Sequence, residues 1–169
     1  VNNYDVIFHL AGLSRIQPSF DQPSTTIDVN TVGTERVLAF AKTNNSKVVY
    51  AGSSSKWHNP YQSPYATSKH LGEEICKMYT KLFGLKTVTF RYFNVYGDRQ
   101  PTRGQYAPVI GLFKKQKDSG KPMSVVGDGL QTRDYTNVKD VVRANILAAE
   151  SKRVGNGEVI NIGVGKSYS

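Results

Sequence analysis

The chain has 169 residues, with 22 lysines and arginines against 13 aspartates and glutamates, a formal charge of +9 and 38% apolar residues. That composition excludes intrinsic disorder and predicts one globular unit. No run of about 18 apolar residues is present to span a membrane, and a single cysteine, Cys76, excludes both an intramolecular disulfide and a cysteine metal cage.

In chain order, residues 5–11 (DVIFHLA) predict a buried strand. Residues 23–44 predict a helix, with Ile27, Val32, Val37, Leu38 and Ala41 apolar and Asn44-Asn45 as its stop. Residues 47–51 (KVVYA) give the next strand. The span 63–83 places Leu71, Ile75, Met78 and Leu82 at offsets of 0, 4, 7 and 11, one face of a helix, and Gly84 offers a left-handed cap. A strand at 86–93 follows, then a loop through Gly97 and Pro101, a helix near 107–117 and a short strand at 123–126. Val138–Glu150 predicts a further helix and 158–162 a further strand. Strands separated by helix-length crossovers require a parallel sheet with helices on both faces, an α/β doubly wound fold.

Lys114, Lys115, Lys117 and Lys121 crowd one amphipathic stretch. No aromatic RNA-binding signature or zinc-finger spacing accompanies them, so neither nucleic acid nor a membrane is an expected partner. A lone cysteine fits a reducing cytoplasm.

Two local patterns can carry chemistry. Tyr65 and Lys69 stand four apart at the start of the 63–83 helix, which sets phenol and ammonium on one face. A cation there is expected to lower the tyrosine pKa and make a general base usable near neutral pH. Gly52-Ser53-Ser54-Ser55 directly follows the 47–51 strand, at the carboxyl end where open α/β sheets bind ligands. A hydroxyl beside the tyrosine can relay a proton or hold a reacting oxygen.

With these go DVIFHLAG at 5–12, NxxGT at 30–34, PYxxSK at 64–69, RYFNVYG at 91–97, GDGxQTRDY at 127–135, VxDVVRA at 138–144 and NIGVG at 161–165. In that order they resemble the extended short-chain dehydrogenase/reductase family of NAD-dependent nucleotide-sugar epimerases and dehydratases, most of all its UDP-glucose 4-epimerase branch. The resemblance implies a Rossmann-like sheet, with residues 1–97 the later part of the NAD-binding domain. Residues 98–169 would be part of a substrate-binding region interleaved with late strands and helices.

It implies NAD as cofactor and a UDP-hexose as substrate. Tyr65 would be the catalytic base, Lys69 the residue that bridges the nicotinamide ribose hydroxyls, and Ser53 the hydroxyl partner, with Ser54 as its substitute. Leu10, Ala11 and Gly12 would line the cofactor, with Asn30 facing it from a helix. Tyr92 and Phe93 would sit by the nicotinamide, or else serve as core aromatics. Asn94 and Arg133 would bind the substrate diphosphate, and no metal is implied. A homodimer through the 63–83 helix is the implied assembly.

The reaction implied is oxidation at C4 of the sugar, rotation of the 4-keto intermediate and re-reduction on its opposite face. A 4,6-dehydratase needs an Asp-Glu pair after the hydroxyl residue, where this chain has Ser54 and Ser55. A UDP-uronic acid decarboxylase is a further alternative, and a non-catalytic binding module another. The glycine-rich dinucleotide loop and the acidic residue for the adenine ribose are missing from the sequence. The expectation is therefore a fragment cut at both ends, inactive by itself. Lys56, Trp57 and His58 also replace the family's usual VYG in a short loop between Ser53 and Tyr65, and Ser14 stands where close relatives often carry lysine.

Overall fold

The computed structural model describes residues 4–57, 59–102 and 107–169, leaving aside the side chains of Lys56 and Trp57. Strand β1 (Val6–His9) leads into helices α1 (Ile16–Asp21) and α2 (Pro23–Ile27), a π-helical turn over Asp28–Val32 and helix α3 (Gly33–Asn44). Strand β2 (Lys47–Ser53) follows, then 3₁₀ turns at Ser54–Trp57 and Pro60–Gln62 and the long helix α4 (Pro64–Phe83). Next come β3 (Thr87–Tyr92), β4 (Val95–Tyr96), α5 (Val109–Asp118), β5 (Arg133–Asp134) and β6 (Thr136–Asn137). Helix α6 (Val138–Glu150), β7 (Asn156–Ile162) and β8 (Ser167–Tyr168) complete the order.

The main sheet runs β1-β2-β3-β7 with every pair parallel, which is the expected α/β arrangement. Its register sets His9 beside Tyr50, Ser53 beside Tyr92 and Tyr92 beside Ile162, so the carboxyl ends of the strands form one edge. Alternation along β2 divides the core in two. Val48 and Tyr50 pack with Leu38, Ala41, Cys76, Tyr79 and Leu85 under α3 and α4, while Val49 packs with Val88, Phe90 and Ala148 under α6. Lys47, at the start of β2, sends its ammonium to the carbonyls of Ala148 and Ser151 at 2.6 Å, a cation closing the C-terminal end of α6. Among the described residues no helix is long and apolar enough to cross a membrane.

Two expectations change. The 23–44 helix is interrupted by the π turn, and the unforeseen α1 precedes it. Residues 123–126 form no strand, since no described strand lies beside them to complete a ladder, and Val126 is 82% exposed. The α4 stripe forms one helix face as expected, with Ile75 packed against the core and Leu71, Met78 and Leu82 exposed, the last at 65%.

The buried side of α4 is built instead from Ala66, Ser68, Lys69, Gly72, Glu73, Cys76 and Tyr79. Small residues there let the helix approach the sheet closely. A Cβ placed on Gly72 would lie 2.3 Å from the Tyr50 hydroxyl oxygen, and that ring is fully buried. Gly72→Ala should therefore lower unfolding free energy by about 1–3 kcal/mol in a urea titration, and an unchanged midpoint would contradict this packing. Glu73, 2% exposed, is held by Arg91 through Nε at 2.9 Å and a terminal nitrogen at 2.6 Å, with Lys77 at 3.0 Å.

Candidate active site

Ser63 starts α4 by accepting the Ala66 N–H at 3.1 Å, and Pro64 occupies the first turn, where its missing N–H costs nothing. This fixes Tyr65 at the mouth of the sheet edge with Lys69 one turn further in. The Tyr65 hydroxyl donates to Ser53 Oγ at 3.3 Å, and Ser53 Oγ also meets Ser55 Oγ at 2.8 Å and the Ser55 N–H at 3.2 Å. Lys69 Nζ donates to the Ala51 carbonyl at 2.8 Å. Ser53, Tyr65 and Lys69 thus converge on the last residues of β2, and Ser54 begins the turn beside them.

Burial governs both titrations. It pushes Lys69 down to about 8 and raises Tyr65 above the ordinary phenol value. The expected lowering of Tyr65 by Lys69 is corrected: what counters burial at Tyr65 is the Ser53 hydrogen bond and the charge of Arg15. The Lys69 ammonium is directed instead at the strand carbonyl.

The floor of the site is the π turn. It turns Asn30 inward, where its Oδ1 accepts the Leu13 N–H at 2.7 Å and its Nδ2 donates to the Leu13 carbonyl and to Ser68 Oγ, both at 2.9 Å. A helix widened by one residue often marks a functional position, and here it reaches the loop after β1. Leu10, Ala11 and Gly12 lie exposed along that loop. A Cβ on Gly12 would sit 2.9 Å from Asn30 Oδ1 and 3.3 Å from Lys69 Nζ, so only glycine leaves this space open.

His9, which sequence reasoning passed over, closes the same network from behind. Thr34 gives its single hydroxyl proton to the Asn30 carbonyl at 2.7 Å, so His9 Nε2 must carry the hydrogen of its 2.9 Å bond to Thr34 Oγ1. Burial, assisted by the Lys69 charge, pushes His9 down to about 4. The unfolded chain then binds the extra proton between about pH 6.5 and 4, so this contribution is complete above 6.5 and lost as pH falls through that window. It amounts to on the order of 3 kcal/mol. Unfolding stability should therefore drop more steeply across that window in the wild type than in His9→Gln, and equal slopes would contradict the assignment.

The remaining predicted residues divide. Tyr92 points to α6, where its hydroxyl accepts from Asn145 Nδ2 at 3.0 Å, and it packs on the Val49–Phe90 cluster. Its side chain is a core aromatic, on the sheet face away from α4. Phe93 follows it and takes the Ile162 carbonyl with its N–H at 3.1 Å. Asn94 has a left-handed backbone (φ 33°) and donates to the Asp134 carbonyl at 2.8 Å, which brings it beside Arg133. The Arg133 side chain is exposed and, among the described residues, bonds only locally, to the Thr132 carbonyl at 2.8 Å. Asp134, not singled out in the sequence although it lies in GDGxQTRDY, accepts the N–H groups of Val164 and Gly165 at 2.9 and 2.8 Å and so fixes the loop after β7. His58 and the side chains of Lys56 and Trp57 lie outside the described residues.

This arrangement fits a dinucleotide's nicotinamide end. Lys69 has three N–H donors and spends one on Ala51, which leaves donors for a vicinal diol, and Gly12 keeps the adjacent space clear.

Residues 1–163 match the NAD dependent epimerase/dehydratase family. A putative UDP-glucose 4-epimerase from Methanocaldococcus jannaschii is 35% identical, over 98% of this chain and 57% of its own length. A UDP-N-acetyl-alpha-D-glucosaminuronate decarboxylase from Bacillus cytotoxicus is 37% identical, over 96% of this chain and 55% of its own. Among solved structures, a UDP-N-acetylglucosamine 4-epimerase from Methanobrevibacter ruminantium in complex with UDP-N-acetylmuramic acid superposes with a TM-score of 0.90 at 36% identity, covering 97% of this chain and 56% of that one. The chain thus spans little more than half the length of these relatives.

Proposed function

The chain belongs to the NAD dependent epimerase/dehydratase family, and from that membership we propose that it carries the reaction centre of a nucleotide-sugar 4-epimerase of the UDP-glucose/UDP-galactose type. The observation that carries this reading is the Tyr65–Ser53 hydroxyl pair at the end of β2 with Lys69 one helical turn behind it. NAD is the family's cofactor, and when bound it supplies the redox chemistry at C4 of the sugar. Lys69, Asn30, Phe93 and the Leu10–Ala11–Gly12 backbone are the residues that would hold it.

In this reading Tyr65 takes the proton of the C4 hydroxyl and later returns it, while Ser53 hydrogen-bonds the same oxygen and steadies its geometry. Ser54 lies next to the sugar. Asn94 and Arg133 take the diphosphate, the guanidinium being suited to phosphate oxygens. Ser54 and Ser55 offer no carboxylic acid, which argues against dehydration. The Bacillus cytotoxicus relative favours one second reading, decarboxylation of a UDP-uronic acid at the same centre. Exposed Leu71, Met78 and Leu82 on α4 support a homodimer through that helix, and the single buried Cys76 suits a reducing compartment such as the cytoplasm.

Product analysis separates the readings: UDP-galactose from UDP-glucose supports the epimerase, and carbon dioxide from a UDP-uronate supports the decarboxylase. Arg133→Ala should weaken UDP binding by about tenfold or more while leaving NAD content close to wild type, since one charged bond is worth about 1.5–3 kcal/mol. Equal UDP affinity by calorimetry would remove Arg133 from the site.

A further inference from the structure

The backbone of Tyr65 is gripped from both sides. The first N–H groups of a helix have no partner within it, and the cap Ser63 spends its side chain on Ala66, so the Tyr65 N–H needs an acceptor from elsewhere. That acceptor is Ser19 Oγ on α1, 3.1 Å away. Ser19 is 1% exposed and gives its own hydroxyl proton to the Ile16 carbonyl at 2.5 Å, so toward α4 its oxygen can only accept. On the other side the Tyr65 carbonyl accepts the Ser68 hydroxyl at 2.8 Å, and Ser68 Oγ in turn accepts Asn30 Nδ2 at 2.9 Å.

Ser68 belongs to the same helix as Tyr65, whereas Ser19 reaches it from a separate helix of six residues. The tyrosine ring leaves the chain at the Cα between the two gripped groups, so their placement sets where the phenol arrives. Its bond to Ser53 Oγ, at 3.3 Å, is already longer than the usual O–H···O range of about 2.5–3.0 Å. A slight tilt of the first turn of α4 would break it.

We propose that Ser19 is a positioning residue for Tyr65: by holding the Tyr65 N–H it fixes the first turn of α4 so that the phenol meets Ser53 and, in the proposed reaction, the C4 hydroxyl. The kinetic consequence rests on that reading of the function; the geometric one stands on the hydrogen bonds.

The test uses the full-length protein as wild type, Ser19→Ala, Ser19→Cys and Thr67→Val, each also combined with Tyr65→Phe. Thr67→Val is the control, since the Thr67 hydroxyl bonds the Pro60 and Ser63 carbonyls in the same turn and neither backbone group of Tyr65. Ser19→Ala should lower kcat by about tenfold and leave nucleotide affinity within about twofold of wild type, because misplacing a reacting group costs turnover before binding. Ser19→Cys, with a weaker acceptor of similar shape, should fall in between and serves where the alanine variant does not fold. In the Tyr65→Phe background, which lacks the hydroxyl being placed, the Ser19 substitutions should change the residual rate by less than about twofold. A second readout needs no turnover: with tyrosines labelled with carbon-13 at Cζ, the Tyr65 resonance, identified by its loss in Tyr65→Phe, should move in Ser19→Ala toward its position in Ser53→Ala.

An unmoved Tyr65 resonance, an equal loss of rate in the Tyr65→Phe background, or the same loss in Thr67→Val would overturn the proposal. So would a wild type that converts UDP-glucose and a Ser19→Ala variant that matches it within about twofold. A wild type that makes no UDP-galactose while the resonance moves as stated counts against the epimerase reading and leaves Ser19 in its role.

Discussion

Tyr65→Phe should lower nucleotide-sugar turnover in the full-length protein by about 10² or more, because it removes the group that accepts and returns the C4 hydroxyl proton. The ring keeps its place at the start of α4, so folding and nucleotide affinity should stay close to wild type. Ser53 then loses the hydroxyl that donates to it at 3.3 Å, and its own link to Ser55 at 2.8 Å remains. The measurement is kcat with substrate in excess. Turnover within about threefold of wild type would take the tyrosine out of the chemistry.

The largest effect on stability should come from Glu73→Ala. This carboxylate is 2% exposed and receives two bonds from Arg91, at 2.9 and 2.6 Å, across the α4–β3 interface. Its removal leaves the Arg91 guanidinium partly buried without that countercharge, a loss of about 3–5 kcal/mol for a buried pair. Urea unfolding checks it. A loss under about 1 kcal/mol would show that the pair is solvated in practice, and the comparison with Glu73→Gln separates lost charge from lost volume.

Local signals carried most of the fold. Ser63-Pro64 and Gly84 bracket α4 as a cap and a left-handed stop, and Val138–Glu150 forms the helix that its spacing predicts. Periodicity gave the helix and left open which of its faces is buried. Leu71, Met78 and Leu82 have helical spacing, yet α4 turns Gly72, Glu73 and Cys76 to the sheet, because close approach and a buried ion pair satisfy that face. Residues 123–126 have strand composition but lack a neighbouring strand, and a ladder needs two. The π turn at Asp28–Val32 has no signature in residue type, since one extra residue per turn is set by what Asn30 reaches across the molecule.

The site was legible as a set of positions and not as electrostatics. Tyr65, Lys69 and Ser53 come together as their spacing and strand placement implied. That burial raises Tyr65, that Lys69 spends a proton on Ala51, and that His9 stands neutral behind Thr34 all depend on residues distant in the chain. Ser19 lies outside every motif. Its relation to Tyr65 arises only because α1 docks on the first turn of α4. Tyr92, adjacent to Phe93 in one motif, falls on the other side of the sheet through strand alternation.

The central claim is that Tyr65, Lys69 and Ser53 serve inversion at C4 of a nucleotide sugar. The most direct measurement is incubation of the full-length protein with UDP-glucose deuterated at C4, with the products followed by NMR. The account predicts UDP-galactose with the deuterium still on C4, formed by wild type and reduced by about 10² or more in Tyr65→Phe. Loss of the label to solvent, a 4-keto-6-deoxy sugar as the main product, or equal conversion by the Tyr65→Phe variant would contradict it.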